Sequence, residues 1–236
     1  MNIINCNDYE TMARQGAEIL IKTIKDNPRA VITLATGSSP KRMYELFVET
    51  INHEKIDISE VTFLKLDEWY GVAPDADCTC TTFIKEILLD QLYMPPKQYI
   101  EFVSNAEDVS EELKKVDDFI ANHTIDVMIL GLGMNGHLGL NEPSNTLHYH
   151  CHQTKLNEKT KTHSMAQGYP LESGLSIGLE GIFKAKQVLM LVCGERKEET
   201  YKAFLSQNIS TLVPASLLWL HHNCTTLIDR NQFPND

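Results

Sequence analysis

His137 and Glu142 sit in one glycine-rich stretch, Gly131-Leu132-Gly133-Met134-Asn135-Gly136-His137-Leu138-Gly139-Leu140-Asn141-Glu142-Pro143. An imidazole and a carboxylate are the side chains best suited to moving protons near neutral pH. Four glycines in the nine positions from Gly131 to Gly139 let the backbone turn tightly and approach a ligand closely. Pro143 disfavours helical geometry at the residue before it, so Glu142 is expected in an ordered loop. The apolar run over residues 125–130 is expected to be a buried parallel strand leading into this loop. Gly131-x-Gly133-x-x-Gly136 also matches the dinucleotide-binding spacing. That motif works only where a helix opens at the glycines, and Gly139 and Pro143 would break such a helix, so dinucleotide binding is not expected.

Three other places could contribute to a site. Thr36-Gly37-Ser38-Ser39-Pro40 follows an apolar run over residues 30–35. It reads as a turn into a helix with Pro40 at the first helical position. Backbone N–H groups and two hydroxyls there suit a phosphate, although Ser39 acting as a plain helix cap and Gly37 as a plain turn account for the residues equally well. A second apolar strand over residues 61–66 runs into Asp67-Glu68-Trp69-Tyr70-Gly71. Ligands of open α/β sheets lie beyond the carboxyl ends of the strands, so Asp67 is placed to act as a base. The alternative is a turn-forming Asp67, and Glu68 is expected to be a solvated charge. A third strand over residues 187–193 ends in Gly194-Glu195-Arg196-Lys197, which puts a cation at a helix start where the helix dipole disfavours it. An incoming anion would resolve that conflict.

Histidines 148, 150 and 152 would share one face of a strand and could hold zinc. No acidic residue lies close in sequence to orient them, so they are read as partly buried polar strand residues and no metal is expected. Cys78-Thr79-Cys80 is a weaker signal still.

These residues need elements to position them. Asn7-Asp8-Tyr9-Glu10 reads as a capping box with Asn7 at the cap, opening a helix that turns Met12, Ile19, Leu20 and Ile24 inward before Asn27-Pro28. Further helices are expected over residues 79–92, 107–121 and 198–204, with another starting at Val213-Pro214-Ala215-Ser216. A short strand is expected over 99–103 and a last one over 224–229. Alternating strands and helices point to an α/β fold with a parallel sheet covered on both faces. The chain has 236 residues, enough for one substantial core, and is expected to form a single domain over 1–236. Disorder is expected only over residues 231–236. A net charge of −11 argues against a nucleic-acid partner. No run is long and apolar enough to span a membrane, and a cytoplasmic location is expected. Six irregularly spaced cysteines read as reduced, mostly buried thiols.

Taken in order and spacing, Thr36-Gly37-Ser38-Ser39-Pro40, Leu66-Asp67-Glu68-Trp69, Gly131 to His137, Asn141-Glu142-Pro143 and Gly194-x-x-Lys197 resemble the glucosamine-6-phosphate deaminase family. The likeness is greatest to its galactosamine-6-phosphate isomerase branch, which Val213-Pro214-Ala215-Ser216 and Leu218-Trp219-Leu220-His221 also resemble. The resemblance implies a three-layer, Rossmann-like α/β fold shared with 6-phosphogluconolactonases and ribose-5-phosphate isomerases. It further implies that His137 opens the sugar ring with help from Glu142, and that Asp67 carries the C2 proton to C1. Gly37, Ser38, Ser39 and Lys197 would hold the phosphate, and Thr36, Glu68, Gly133 and Gly136 are further candidates for substrate contact. The substrate's own amine and carbonyl supply the electron sink, so no cofactor is expected and the partner is a small amino sugar phosphate. Oligomerisation is left open.

Two departures bear on substrate preference. Asn135 stands where glucosamine-6-phosphate deaminases carry Asp, a change the galactosamine branch tolerates. No arginine occurs in the segment over 162–167 that reaches the phosphate in those enzymes, and His163 is the candidate replacement. The same fold would also accommodate a sugar-phosphate sensor, which would not need Asp67, His137 and Glu142 together, or a lactone hydrolase, which Asn141-Glu142-Pro143 resembles less well.

Overall fold

The computed structural model of the chain describes residues 1–233. Its first half runs β1 (Asn2–Cys6), α1 (Tyr9–Asp26), β2 (Val31–Leu34), α2 (Ser38–Glu54), β3 (Thr62–Lys65), β4 (Asp67–Tyr70), α3 (Cys80–Ile87), β5 (Gln98–Ile100) and α4 (Val109–Asn122). The second half runs β6 (Val127–Gly131), β7 (His152–Lys155), α5 (Glu158–Lys161), β8 (Ser173–Ser176), α6 (Leu179–Lys184), β9 (Gln187–Val192), α7 (Glu198–Leu205) and β10 (Cys224–Asp229). Seven strands pair in the order β1-β10-β9-β6-β2-β3-β5, all parallel. The central strands are buried on both faces, which is why they read as continuous apolar runs without alternation.

Helices cover both faces. Gly16 of α1 lies against Met43 of α2 and Leu191 of β9, while Gly181 of α6 lies against Ile120 of α4 and Met128 of β6. Met128 is level with Val188, three residues from Leu191, so the two clusters fall on opposite sides of the sheet. The absence of a side chain at Gly16 and Gly181 lets each helix close on its neighbours.

Strand order reverses between β2 and β6, so the connections leaving their carboxyl ends run apart and open a cleft. A second, antiparallel sheet, β4-β8-β7, stands beyond that edge. It pairs Asp67 and His152 with Ser176 and walls off the cleft.

Several local expectations are corrected. Asp8, not Asn7, caps α1, its Oδ1 accepting from the Thr11 N–H at 2.7 Å. Glu10 is drawn instead to Arg42 on α2, so the reciprocal box does not form. Helix α2 begins two residues before Pro40, which therefore occupies the third helical position. The helix expected over 79–92 ends at Ile87 and continues only as a three-residue turn. Residues 148 and 150 lie outside any strand. In the tail, Phe233 is buried and packs against Tyr201 at a ring separation of 4.5 Å. The rest of the tail expected to be disordered, residues 234–236, lies outside the described residues. All six cysteines are buried and unpaired.

Candidate active site

The turn after β2 shapes one wall of the cleft. Gly37 has φ +98°, a conformation that favours glycine, and delivers the chain directly into α2. The first helical N–H groups, of Ser38 and Ser39, have no intrahelical acceptor, and Pro40 contributes none, so the helix start offers donors that a bound anion can satisfy. Two tyrosines fix the turn from behind: Tyr44 donates to the Ala35 carbonyl at 2.8 Å and Tyr9 to the Ser38 carbonyl at 2.5 Å. Lys197, at the start of α7, folds back over Gly194 so that its Nζ reaches the same cleft. Burial holds its ammonium below the usual lysine range, and the Cys193 thiol only partly opposes that effect. Among the described residues no carboxylate pairs with it.

Asp67 is the first residue of β4, where the chain leaves the parallel sheet for the antiparallel one. Burial raises its carboxyl to about 7, and the neighbouring Glu68 charge pushes the same way. His137, Lys65 and a contact from the Cys80 thiol oppose the rise. Glu68 is not the solvated charge expected. It is fully buried, with Oε1 accepting from the N–H groups of Trp69 and Cys80 and Oε2 from the Thr81 N–H and the Lys65 ammonium. The unsatisfied N–H groups at the start of α3 and the buried Lys65 supply what a solvent shell would have given. Glu68 therefore stands behind Asp67, outside the cleft lining.

His137 lies opposite, in the loop after β6, with its Cδ2 and Nε2 edge so close to Gly133 that no side chain could be accommodated there. The other ring nitrogen, Nδ1, is 3.2 Å from the Thr160 hydroxyl and 3.6 Å from Glu142 Oε2. Asn135 locks this group: its side-chain Nδ2 donates to Glu142 at 2.7 Å and its Oδ1 accepts from the His137 N–H at 3.1 Å. Burial would raise the Glu142 carboxyl, but the neighbouring His137 and Thr160 and the hydrogen bond from Asn135 outweigh it and hold Glu142 below the usual range. His163 reaches Gly37, its Nε2 lying 3.2 Å from where a Cβ would stand. Its Nδ1 accepts from the Met165 N–H at 3.3 Å, so the neutral ring carries its proton on Nε2. Burial, then the nearby His137 and Lys197, lower its pKa to about 4.

Thr36, Gly37, Ser38, Ser39, Asp67, Gly133, His137, His163 and Lys197 thus line one cleft. Asn135 and Glu142 stand behind His137. Gly136, at φ +90°, faces Val213 and Thr200 and makes the turn without lining the cleft. The sequence marked Cys80 only as a weak metal signal and Trp69 only within the family motif, and did not mark Thr160; all three line an adjoining chamber with Asp67 and His137. Trp69 followed Asp67 at a spacing of two, which on a strand puts both on one face, but nothing marked Thr160. The histidines at 148, 150 and 152 do not share a strand face. His148 and His152 stack at 4.2 Å, while His150 meets Glu180 at 2.9 Å, with Asp117 nearby. Glu180 also pairs with Lys184.

A family model described as glucosamine-6-phosphate isomerases/6-phosphogluconolactonase matches residues 8–227. The chain is 40% identical over 226 residues to a protein of Escherichia coli (strain K12) named "Putative deaminase AgaI", covering 94% of this chain and 89% of that one. It is 35% identical to the glucosamine-6-phosphate deaminase of Thermoanaerobacter sp. (strain X514), covering 98% and 93%. A solved monomeric glucosamine-6-phosphate deaminase of the NagB superfamily superposes with a TM-score of 0.92 at 30% identity, over 99% of both chains. With the matching folds and near-complete coverage, the chain belongs to the glucosamine-6-phosphate isomerase/6-phosphogluconolactonase family.

Proposed function

We propose that the cleft isomerises and deaminates a 2-amino-2-deoxyhexose 6-phosphate, galactosamine 6-phosphate or its C4 epimer glucosamine 6-phosphate, to the ketose 6-phosphate and ammonia. The observation that carries this reading is the convergence of Asp67 and His137 on one cleft whose far wall is the Gly37-Ser38-Ser39 turn and Lys197. The phosphate accepts from the α2 start and the two serines, pairs with Lys197, and takes a further hydrogen bond from the neutral Nε2–H of His163. His137 removes the proton of the anomeric hydroxyl and returns one to the ring oxygen, which opens the ring. Glu142 stabilises the imidazolium formed between these steps. Asp67 takes the proton from C2 of the open aldehyde and delivers it to C1, passing through an enolamine. Water then adds to C2 of the resulting imine, the C–N bond breaks, and ammonia leaves.

A carboxyl near 7 suits a base that must accept and return a proton in one turnover. The names of the relatives support the same chemistry, and the 40% identity to AgaI favours a deaminase over a lactonase. The test is ammonia release from both epimers, with Asp67→Asn as control. Asp67→Asn is expected to abolish release while sugar-phosphate binding persists. Undiminished turnover in that variant overturns the base assignment, and hydrolysis of a 6-phosphogluconolactone without ammonia release from either amino sugar overturns the reaction class.

A further inference from the structure

We propose that the Thr160 hydroxyl is a positioning residue that sets the proton on His137, fixing the imidazole as the Nδ1–H tautomer with a bare Nε2 for the substrate. The inference rests on the acid–base role assigned to His137 above. A neutral imidazole has one proton for two nitrogens, and only the form lacking a proton on Nε2 can accept one from an anomeric hydroxyl at that edge. Glu142 is the residue expected to make that choice, yet its Oε2 is 3.6 Å from Nδ1, beyond a hydrogen bond, because Asn135 draws the carboxylate away at 2.7 Å. Thr160 fills the gap. Its Oγ1 is 3.2 Å from His137 Nδ1, and the side chain is almost fully buried, 2% exposed.

Proton direction follows from the charge that Nδ1 faces. Nδ1 faces the Thr160 oxygen at 3.2 Å and the Glu142 carboxylate at 3.6 Å, so a proton on that nitrogen is attracted by the carboxylate and a bare lone pair there is repelled. With the proton on Nδ1, the Thr160 oxygen is the acceptor within hydrogen-bond reach, and Asn135 Nδ2 lies 3.5 Å from the same oxygen. Nδ1–H held by the Thr160 oxygen, with the Glu142 carboxylate beyond it, leaves Nε2 unprotonated on the edge that lies along Gly133. When Nε2 takes the substrate's proton, the Nδ1–H stays directed at Thr160 and Glu142, so no tautomer change separates the two proton transfers.

The test compares Thr160→Val, which keeps the shape and loses the hydroxyl, with Thr160→Ser, which keeps the hydroxyl. Nitrogen-15 spectra of histidine-labelled protein read the His137 tautomer without substrate. The expected result is an Nδ1–H signature in wild type and Thr160→Ser and a shift toward Nε2–H in Thr160→Val. Thr160→Val should also lose about 10- to 100-fold in kcat, the usual effect of removing an orienting partner, with KM little changed. Thr160→Ser should restore most of that kcat. An Nε2–H wild type, an unshifted signature in Thr160→Val, or a folded Thr160→Ser as slow as Thr160→Val each overturns the proposal. Because the spectra need no substrate, a wild type that releases no ammonia would defeat the reaction class and leave the tautomer question decided separately.

Discussion

At the residue scale, Asp67 and Lys197 are both held away from their ordinary ionisation, in directions that a substrate would use. Asp67 titrates at about 7 because burial and Glu68 penalise its charge. The base form is therefore populated only as pH rises through that value. We expect kcat/KM to climb through a limb near pH 7, and a profile flat from about pH 5 to about pH 8 would contradict the assignment. For Lys197 the folded protein binds its proton less tightly than the unfolded chain does. It thus subtracts stability at neutral pH, a deficit that fades as pH rises toward the unfolded lysine value. An anion bound beside it removes the penalty. Inorganic phosphate should raise Tm in wild type and not in Lys197→Met, which should itself be at least as stable as wild type while its KM for sugar phosphate rises about 10-fold or more. A phosphate-induced rise of equal size in Lys197→Met would remove Lys197 from the phosphate site.

At the element scale, the site depends on two supports that differ in how far the sequence discloses them. The strands were legible because burial on both faces leaves continuous apolar runs: β10 occupies the residues expected, β2, β3 and β9 lie within the runs read for them, and β6 extends one residue past its run, to Gly131. Gly131 to His137 and Asp67 were legible because residues of distinctive chemistry end those runs. The antiparallel sheet was not, since β7 (His-Gln-Thr-Lys) and β8 (Ser-Gly-Leu-Ser) are short and mixed in polarity, and their pairing joins residues far apart in sequence. Glu68 was misread because an acidic letter after a strand carries no sign of the Lys65 ammonium or of the α3 start that buries it. Lys65 is itself buried, bonded to Glu68 at 2.6 Å, to the Phe102 carbonyl at 2.7 Å and to Thr81. Removing one partner strands the other charge, so Lys65→Met should cost about 3–5 kcal/mol in a denaturant titration. Lys65→Met with Glu68→Gln together should cost less than the sum of the two single changes. Additive losses would mean that the pair is not coupled. Helix α5 and the turn after it form the other support, since Thr160 and His163 bring one segment to both His137 and Gly37.

At the scale of the whole molecule, parallel order, charge and site location pull in different directions. The reversal between β2 and β6 puts backbone donors and Lys197 at one point, a local trap for an anion. The chain as a whole carries −11, which opposes the approach of a doubly charged phosphate ester. The two effects have different ranges. Lys197 acts at contact distance in a buried setting that salt screens poorly, whereas the net charge acts across solvent, over a screening length of about 30 Å at 0.01 M salt and about 8 Å at 0.15 M. Raising salt over that interval should therefore remove more repulsion than attraction, and kcat/KM should increase. Substituting Lys197 by Met removes the cation from the attractive part and leaves the repulsion, so the same rise in salt should increase kcat/KM by a larger factor in that variant. Stopped-flow or initial-rate measurements with an inert salt check both statements. A steady fall in wild-type kcat/KM over the same range would show instead that attraction reaches well beyond Lys197 and that the surface around the cleft steers the anion inward.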